Sequence, residues 1–260
     1  MCFLVGLRLP LKKETNMKKL IHLSVAVLAM LLLSHPACSQ TLAQIKKTVA
    51  SDRGASDYFG WSVAIAGDYM VVGVPDEDED ASGGGTAMSA AGSVYVFQKD
   101  TGGTDNWGQI KKIVASNRAA NDNFGYSVAI AGDYIVVGAY LEDEDASNGT
   151  TLSAAGSAFV FKKDQGGTNN WGQIKKIVAS DRAAIDWFGW SVAIAGDYIV
   201  VGAHKEDEDA SGGNTLSEAG SAYVFQKDTG GTDNWGQIQK IVASDREAND
   251  RFGNSVAIAG

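Results

Sequence analysis

One long unit that recurs almost evenly along this chain constrains its fold more than any other feature. Phe-Gly recurs at Phe59-Gly60, Phe124-Gly125, Phe188-Gly189 and Phe252-Gly253, at nearly constant spacing. Gly-Asp-Tyr, starting at Gly67, Gly132 and Gly196, and Asn-Trp-Gly, starting at Asn106, Asn170 and Asn234, keep the same period. Regular self-similarity on this scale means that each copy is one supersecondary unit, which buries its apolar face by stacking on its neighbours. The units are set off as residues 44–108, 109–172 and 173–236, with a partial copy at 237–260.

Within the second unit, four short runs rich in Val, Ile, Tyr and Phe lie at 109–115, 127–131, 134–139 and 157–161, separated by Gly, Asn, Asp and Ser. None contains proline, so each predicts a strand. Ala131-Gly132-Asp133 leaves room only for a tight hairpin. The expected fold is all-β: a β-propeller of four-stranded antiparallel blades, with about three and a half blades present. The strands are too short and the period too long for a β-helix. The pairs Lys46-Lys47, Lys111-Lys112 and Lys175-Lys176 are assigned to the outermost strand, where charge guards an open edge. The apolar Tyr-Ile-Val-Val-Gly strand is placed inside. Trp107, Trp171 and Trp235 are expected to pack between blades or over a blade edge, with ligand stacking as the alternative.

The segment before Gln40 differs from the rest. Met17-Lys18-Lys19, the apolar stretch 23–33 and Ala37-Cys38-Ser39 read as a signal peptide over 17–39, with 1–16 an upstream extension and 40–260 the repeat region. Secretion or display at the cell surface follows. A membrane anchor follows only if Cys38 is lipidated, and His35 stands where a bacterial lipobox has Leu. Cys2 and Cys38 both precede Gln40, so the processed chain is expected to lack thiols. Of 22 Lys and Arg, five precede Gln40, as does one of 31 Asp and Glu, leaving 17 − 30 = −13. That charge argues against nucleic acid as a partner and favours attraction of cations.

Phe124-Gly125 with Val137-Gly138-Ala139, and Phe188-Gly189 with Val201-Gly202-Ala203, resemble the signature of the FG-GAP repeat family, whose best known members are the N-terminal propellers of integrin α chains. The resemblance spans residues 44–260 and implies a seven-bladed propeller with a partner-binding face. The chain stops at Gly260 within a copy, so it is expected to be a fragment or to self-associate through an open side wall. Proline after the second glycine occurs only at Pro75, replaced later by Tyr140 and His204. Integrin-type blades hold calcium between the Phe-Gly and Gly-Ala strands; here that connection is only the Ala-Gly-Asp turn, so the family's ligands have no counterparts.

An acidic run lies one connection later. Its candidate metal ligands are Asp76, Asp78 and Asp80, then Glu142, Asp143 and Asp145, then Glu206, Asp207 and Asp209. Alternating carboxylates supply the oxygen donors that calcium prefers, while a solvated acidic loop is the competing reading. Asp57, Asp122, Asp186 and Asp250, each two residues before Phe-Gly, either join that acidic face or bond to backbone in their own turns. No catalytic constellation is legible. His204 is the one histidine after Gln40, and acid clusters repeated in every unit single out no general acid. The sequence thus predicts a non-enzymatic module that recognises protein or glycan through acidic loops, with calcium as a candidate cofactor. An accessory propeller of a larger extracellular enzyme and a ligand-free spacer are the alternatives.

Overall fold

Each alternating apolar run pairs with the next in the chain, which is the cheapest way to satisfy strand backbone groups over short loops. The computed structural model describes residues 44, 46–82 and 87–260. The signal peptide, Cys38 and the extension at 1–16 lie outside the described residues. Among the described residues of Lys46–Gly260, twelve strands build three four-stranded antiparallel sheets. The first has β1 (Ser62–Ala66), β2 (Tyr69–Val74), β3 (Ser93–Gln98) and β4 (Gly108–Ile113). The second has β5 (Ser127–Ala131), β6 (Tyr134–Ala139), β7 (Ser157–Lys162) and β8 (Gly172–Ile177), and the third β9 (Ser191–Ala195), β10 (Tyr198–Ala203), β11 (Ser221–Gln226) and β12 (Gly236–Ile241). Strand order follows chain order in each sheet, and β1, β5 and β9 are neighbours, as the inner strands of propeller blades are.

The sheets are out of phase with the units set off from the sequence. Residues 109–172 do not make one blade, because the lysine-bearing strand β4 pairs with β3 before it, Val94 opposite Ile113. Each blade therefore takes three strands from one copy and its outer strand from the next. Two further expectations are corrected. Residues 46–50, carrying Lys46-Lys47, form no strand, since no β3 equivalent stands beside them among the described residues. Residues 255–259 repeat the Ser-Val-Ala-Ile-Ala of β1 but are not a strand either, because no counterpart of β2 pairs with them.

The core lies between blades. Val71 and Val96 of the first blade pack with Val128, Ile130, Phe159 and Trp171 of the second, and Val136 and Val160 pack with Ile194, Phe225 and Trp235 of the third. Trp171 meets Tyr69, and Trp235 meets Tyr134, edge to face across the joint at 5.4 Å. These two tryptophans are interblade wedges, and Trp107 is half-buried against the outer flank of the first blade. On that flank Val63 and Ile65 are 64% and 62% exposed, whereas their counterparts Val128 and Ile130 are 9% and 8% exposed against a preceding blade.

The two glycines of the repeated motif meet at each joint. A Cβ on Gly138 would lie 1.9 Å from the carbonyl oxygen of Gly189 in the next blade. That oxygen accepts the Ser127 hydroxyl at 2.8 Å, and Gly189 N–H donates to Gly202 at 3.1 Å. Gly189 has φ +91, where a side chain is strained. Phe188 bridges Gly156 in parallel, so the Phe-Gly segment of each copy docks onto the blade before it.

Candidate functional site

Antiparallel pairing brings the end of β2, the start of β3, the end of β4 and the start of β1 to one end of each blade. The acidic runs, the incoming links and the Phe-Gly turns therefore share one face. The nine carboxylates singled out as metal ligands do not converge there. Their run divides by position. In its second place Glu77, Glu142 and Glu206 are buried, turned back toward the outer strand. Lys112 Nζ lies 2.7 Å from Glu77 and 2.8 Å from Asp52; Lys176 lies 2.6 Å from Glu142; Lys240 lies 2.8 Å from Glu206 and 2.7 Å from Asp181. Ser157 donates its hydroxyl to Glu142 at 2.5 Å, and Ser93 and Ser221 do the same for Glu77 and Glu206. Lys112 and Lys176, the second lysines of their pairs, and Lys240 at the matching place are thus buried counter-ions, not guards of an open edge, whereas Lys47 is exposed. The first lysines of those two pairs cross the joint instead: Lys111 donates to Asn170 at 2.8 Å and Lys175 to Asn234 at 2.6 Å.

The third and fifth places are turn residues. Asp78, Asp143 and Asp207 accept the backbone N–H of Ala90, Ala154 and Glu218 at 2.8, 2.7 and 2.7 Å. Asp145 accepts N–H groups of Ser147, Gly149 and Thr150 at 2.8–2.9 Å, and Asp209 those of Ser211 and Gly213 at 2.8 and 3.1 Å. Asp80 accepts from Ser82 in the same way. The Ser147 hydroxyl, which donates at 2.6 Å, and then its N–H donors hold Asp145 far below the usual carboxylate range. Asp76 accepts from Asn123 Nδ2 at 3.2 Å. The aspartates before Phe-Gly bond to backbone in their own turns: Asp122 accepts from Ala119 at 2.8 Å, Asp186 from Ala183 at 2.5 Å, Asp250 from Glu247 at 2.7 Å, and Asp57 from Gly54. Burial, with Glu142, Glu144 and Asp143 nearby, pushes Asp122 up to about 7. Asp186, buried beside Glu206, Glu208 and Asp181, rises equally.

Closer to the inner strands, the residues flanking each Phe-Gly form a band of rings. Tyr58 and Trp61 lie 6.0 Å apart, Trp61 and Tyr126 5.3 Å, Tyr126 and Tyr140 4.4 Å, and Tyr126 and Trp190 4.5 Å. Trp187 stacks on Trp190 at 5.4 Å and 13°. Tyr58 and Trp61 are 57% and 52% exposed, a large apolar area to leave in water. Between the first two blades this band walls a pocket of about 230 Å³, closed on its polar side by Asp76 and Asn123. His204 is buried against Trp190 at 4.4 Å, and burial, with Arg251 and Lys205 nearby, lowers it to about 4.

The joint between blades is made of the paired Phe-Gly and Gly-Ala segments, and the chain matches the FG-GAP repeat over residues 42–97, 107–161, 171–225 and 235–260. The chain belongs to the FG-GAP repeat family. The search of curated proteins found no match. The FG-GAP signature is explained by packing: each glycine lets backbone of one blade touch backbone of the next.

Calcium does not fit the donor set of this FG-GAP chain. Among the described residues, Asp52, Glu77 and Glu79 are the one group of three carboxylates that approach within 4.8 Å of one another, and the ammonium of Lys112 already lies against two of them. Elsewhere each aspartate of the runs commits at least one carboxylate oxygen to an N–H donor. The melting temperature is therefore expected to be the same in chelator as in excess calcium. A rise on adding calcium, the mark of an ion that binds the native state, would overturn this. Sequence reasoning missed the aromatic band. Its signal was there: positions 58, 123, 187 and 251 hold Tyr, Asn, Trp and Arg, and positions 61, 126, 190 and 254 hold Trp, Tyr, Trp and Asn, a departure from an otherwise faithful repeat.

Proposed function

We propose that this FG-GAP chain is a secreted or cell-surface, non-enzymatic binding module that recognises protein or glycan through the face carrying the Phe-Gly turns and acidic loops. The pocket that Tyr58, Trp61, Tyr126 and Tyr140 wall beside Asp76 and Asn123 carries this reading, because rings beside convergent polar groups are what binding sites present. Secretion rests on the N-terminal sequence alone. A non-enzymatic role is supported by His204, whose Nδ1 has no hydrogen-bond partner among the described residues and whose ring packs edge-on against Trp187 and Trp190, where a general base would need a nucleophile as its partner.

Arrays of glycans and of extracellular proteins, probed with the labelled chain, test the reading. Binding to a defined set is expected, lost in Tyr58→Ala/Trp61→Ala while the melting temperature holds. Binding that survives this double substitution would place recognition elsewhere, and no binding on either array would sink the proposal.

A further inference from the structure

The third copy shows what the aromatic band accepts. Lys205 Nζ lies 3.7 Å from the centroid of Trp187, and Glu218, whose other oxygen accepts from Arg251 at 2.7 Å, stands 3.3 Å from the same ammonium. A cation over a ring face is attracted by the negative face of the aromatic quadrupole, and a flanking carboxylate adds to that attraction. The chain therefore fills its own aromatic and acidic box with a lysine.

In the first copy the matching positions hold Tyr58 for Trp187, Trp61 for Trp190 and Asp76 for Lys205. The rings are kept and the charge is inverted. The resulting pocket is walled by Tyr58, Trp61, Tyr126 and Tyr140, with Asp76 and Asn123 on its polar side, and among the described residues no lysine or arginine lines it. Asp57 and Asp78 are close enough to act electrostatically on Asp76, so the negative potential at the pocket comes from more than one carboxylate. At about 230 Å³ the pocket falls below the range of about 300–1,000 Å³ typical for drug-sized ligands, so it suits a head group better than a whole ligand. A neutral hydroxyl ligand could donate a hydrogen bond to Asp76 but would gain no charge attraction from it, and an anion would be repelled.

We propose that this pocket binds an alkylammonium cation, its head against the rings of Tyr58 and Trp61 and its charge opposed by the Asp76 carboxylate. The inference rests on the reading of this face as the binding face and names the chemistry of the group it takes. The bound group can be a methylated ammonium or a primary one, as Lys205 is, and the two are separated by experiment.

Tryptophan fluorescence of the full chain is titrated with choline, with n-butylammonium and with 3,3-dimethylbutan-1-ol, the neutral carbon isostere of choline. Saturable binding of at least one ammonium and none of the alcohol is expected. The stronger of the two ammonium ligands assigns the methylation state. Trp61→Ala should weaken binding about two- to fivefold, in line with a cation–π contact at a partly exposed ring. Asp76→Asn should weaken it, and Asp76→Lys, which puts the third copy's ammonium beside these rings, should abolish it. Both positions are at least partly exposed, and the melting temperature checks that each variant folds. Equal binding of the alcohol, absence of ammonium binding, or full binding by Asp76→Lys would overturn the proposal. The array measurement on Trp61→Ala separates the two claims. Macromolecular binding lost with Trp61 while no ammonium binds would leave the binding-face reading standing and remove this one.

Discussion

Replacing Asp122 and Asp186 with asparagine is expected to raise the melting temperature at pH 8 by about 5–10 °C and to have little effect at pH 4. Both side chains are buried, at 6% and 4% exposure, and each accepts a backbone N–H that an asparagine oxygen would also accept. Burial, assisted by the acidic run beside each, raises both from 3.8 to about 7. A carboxyl whose folded value lies above its unfolded value binds its proton more tightly when folded, so its contribution is favourable in acid and is lost as pH climbs from 3.8 through 7. At about 1.36 kcal/mol per unit, each aspartate costs at most about 4 kcal/mol above that window. A chain of this size gains about 2–4 °C per kcal/mol. Glu206, raised to about 7, works in the same direction, and His204, lowered to about 4, works in the opposite one between 6.5 and 4. The quantity to measure is therefore the difference between variant and parent across pH 4–8. A difference that does not grow with pH would show that these carboxyls titrate normally.

The second large effect is expected at Lys176. Lys176→Met removes the ammonium 2.6 Å from Glu142 and leaves a carboxylate that is 1% exposed with only Ser157, Asn117 and its own run as donors. A buried charge stripped of its partner costs about 3–5 kcal/mol. Combining Lys176→Met with Glu142→Gln removes the charge as well as its partner, so the double variant should be more stable than Lys176→Met alone. Chemical denaturation of the parent, both single variants and the double variant gives the coupling directly. A double variant no more stable than the lysine variant would mean that the pair does not act as a unit. Because both groups are buried, added salt should leave the coupling unchanged.

Period and strand identity were legible because side chains alternate along a strand and the alternation returns with every copy. The phase was not. A periodic string carries no mark of where a blade begins, and only the pairing of β3 with β4 shows that Gly108–Ile113 closes the blade before it. The acidic run misled for a related reason: read as one feature it suggests a cluster, yet successive residues point in different directions. Comparing the copies separates them. The second place is Glu in all three, as is Lys at 112, 176 and 240, whereas the place before it is Asp76, Leu141 or Lys205. Invariance marked the buried ion pair, and variation marked the aromatic pocket. The two glycines of the motif could be recognised, but not their meeting across the joint, which needs two blades at once.

Because every blade borrows its outer strand and its Phe-Gly latch from the following copy, the unit of inheritance and the unit of folding differ in their boundaries but share their length. A duplication or loss of any stretch one period long, wherever its ends fall, restores the same strand pairs, ion pairs and glycine contacts at every joint. The architecture can change its blade number by ordinary unequal recombination without inventing a new interface.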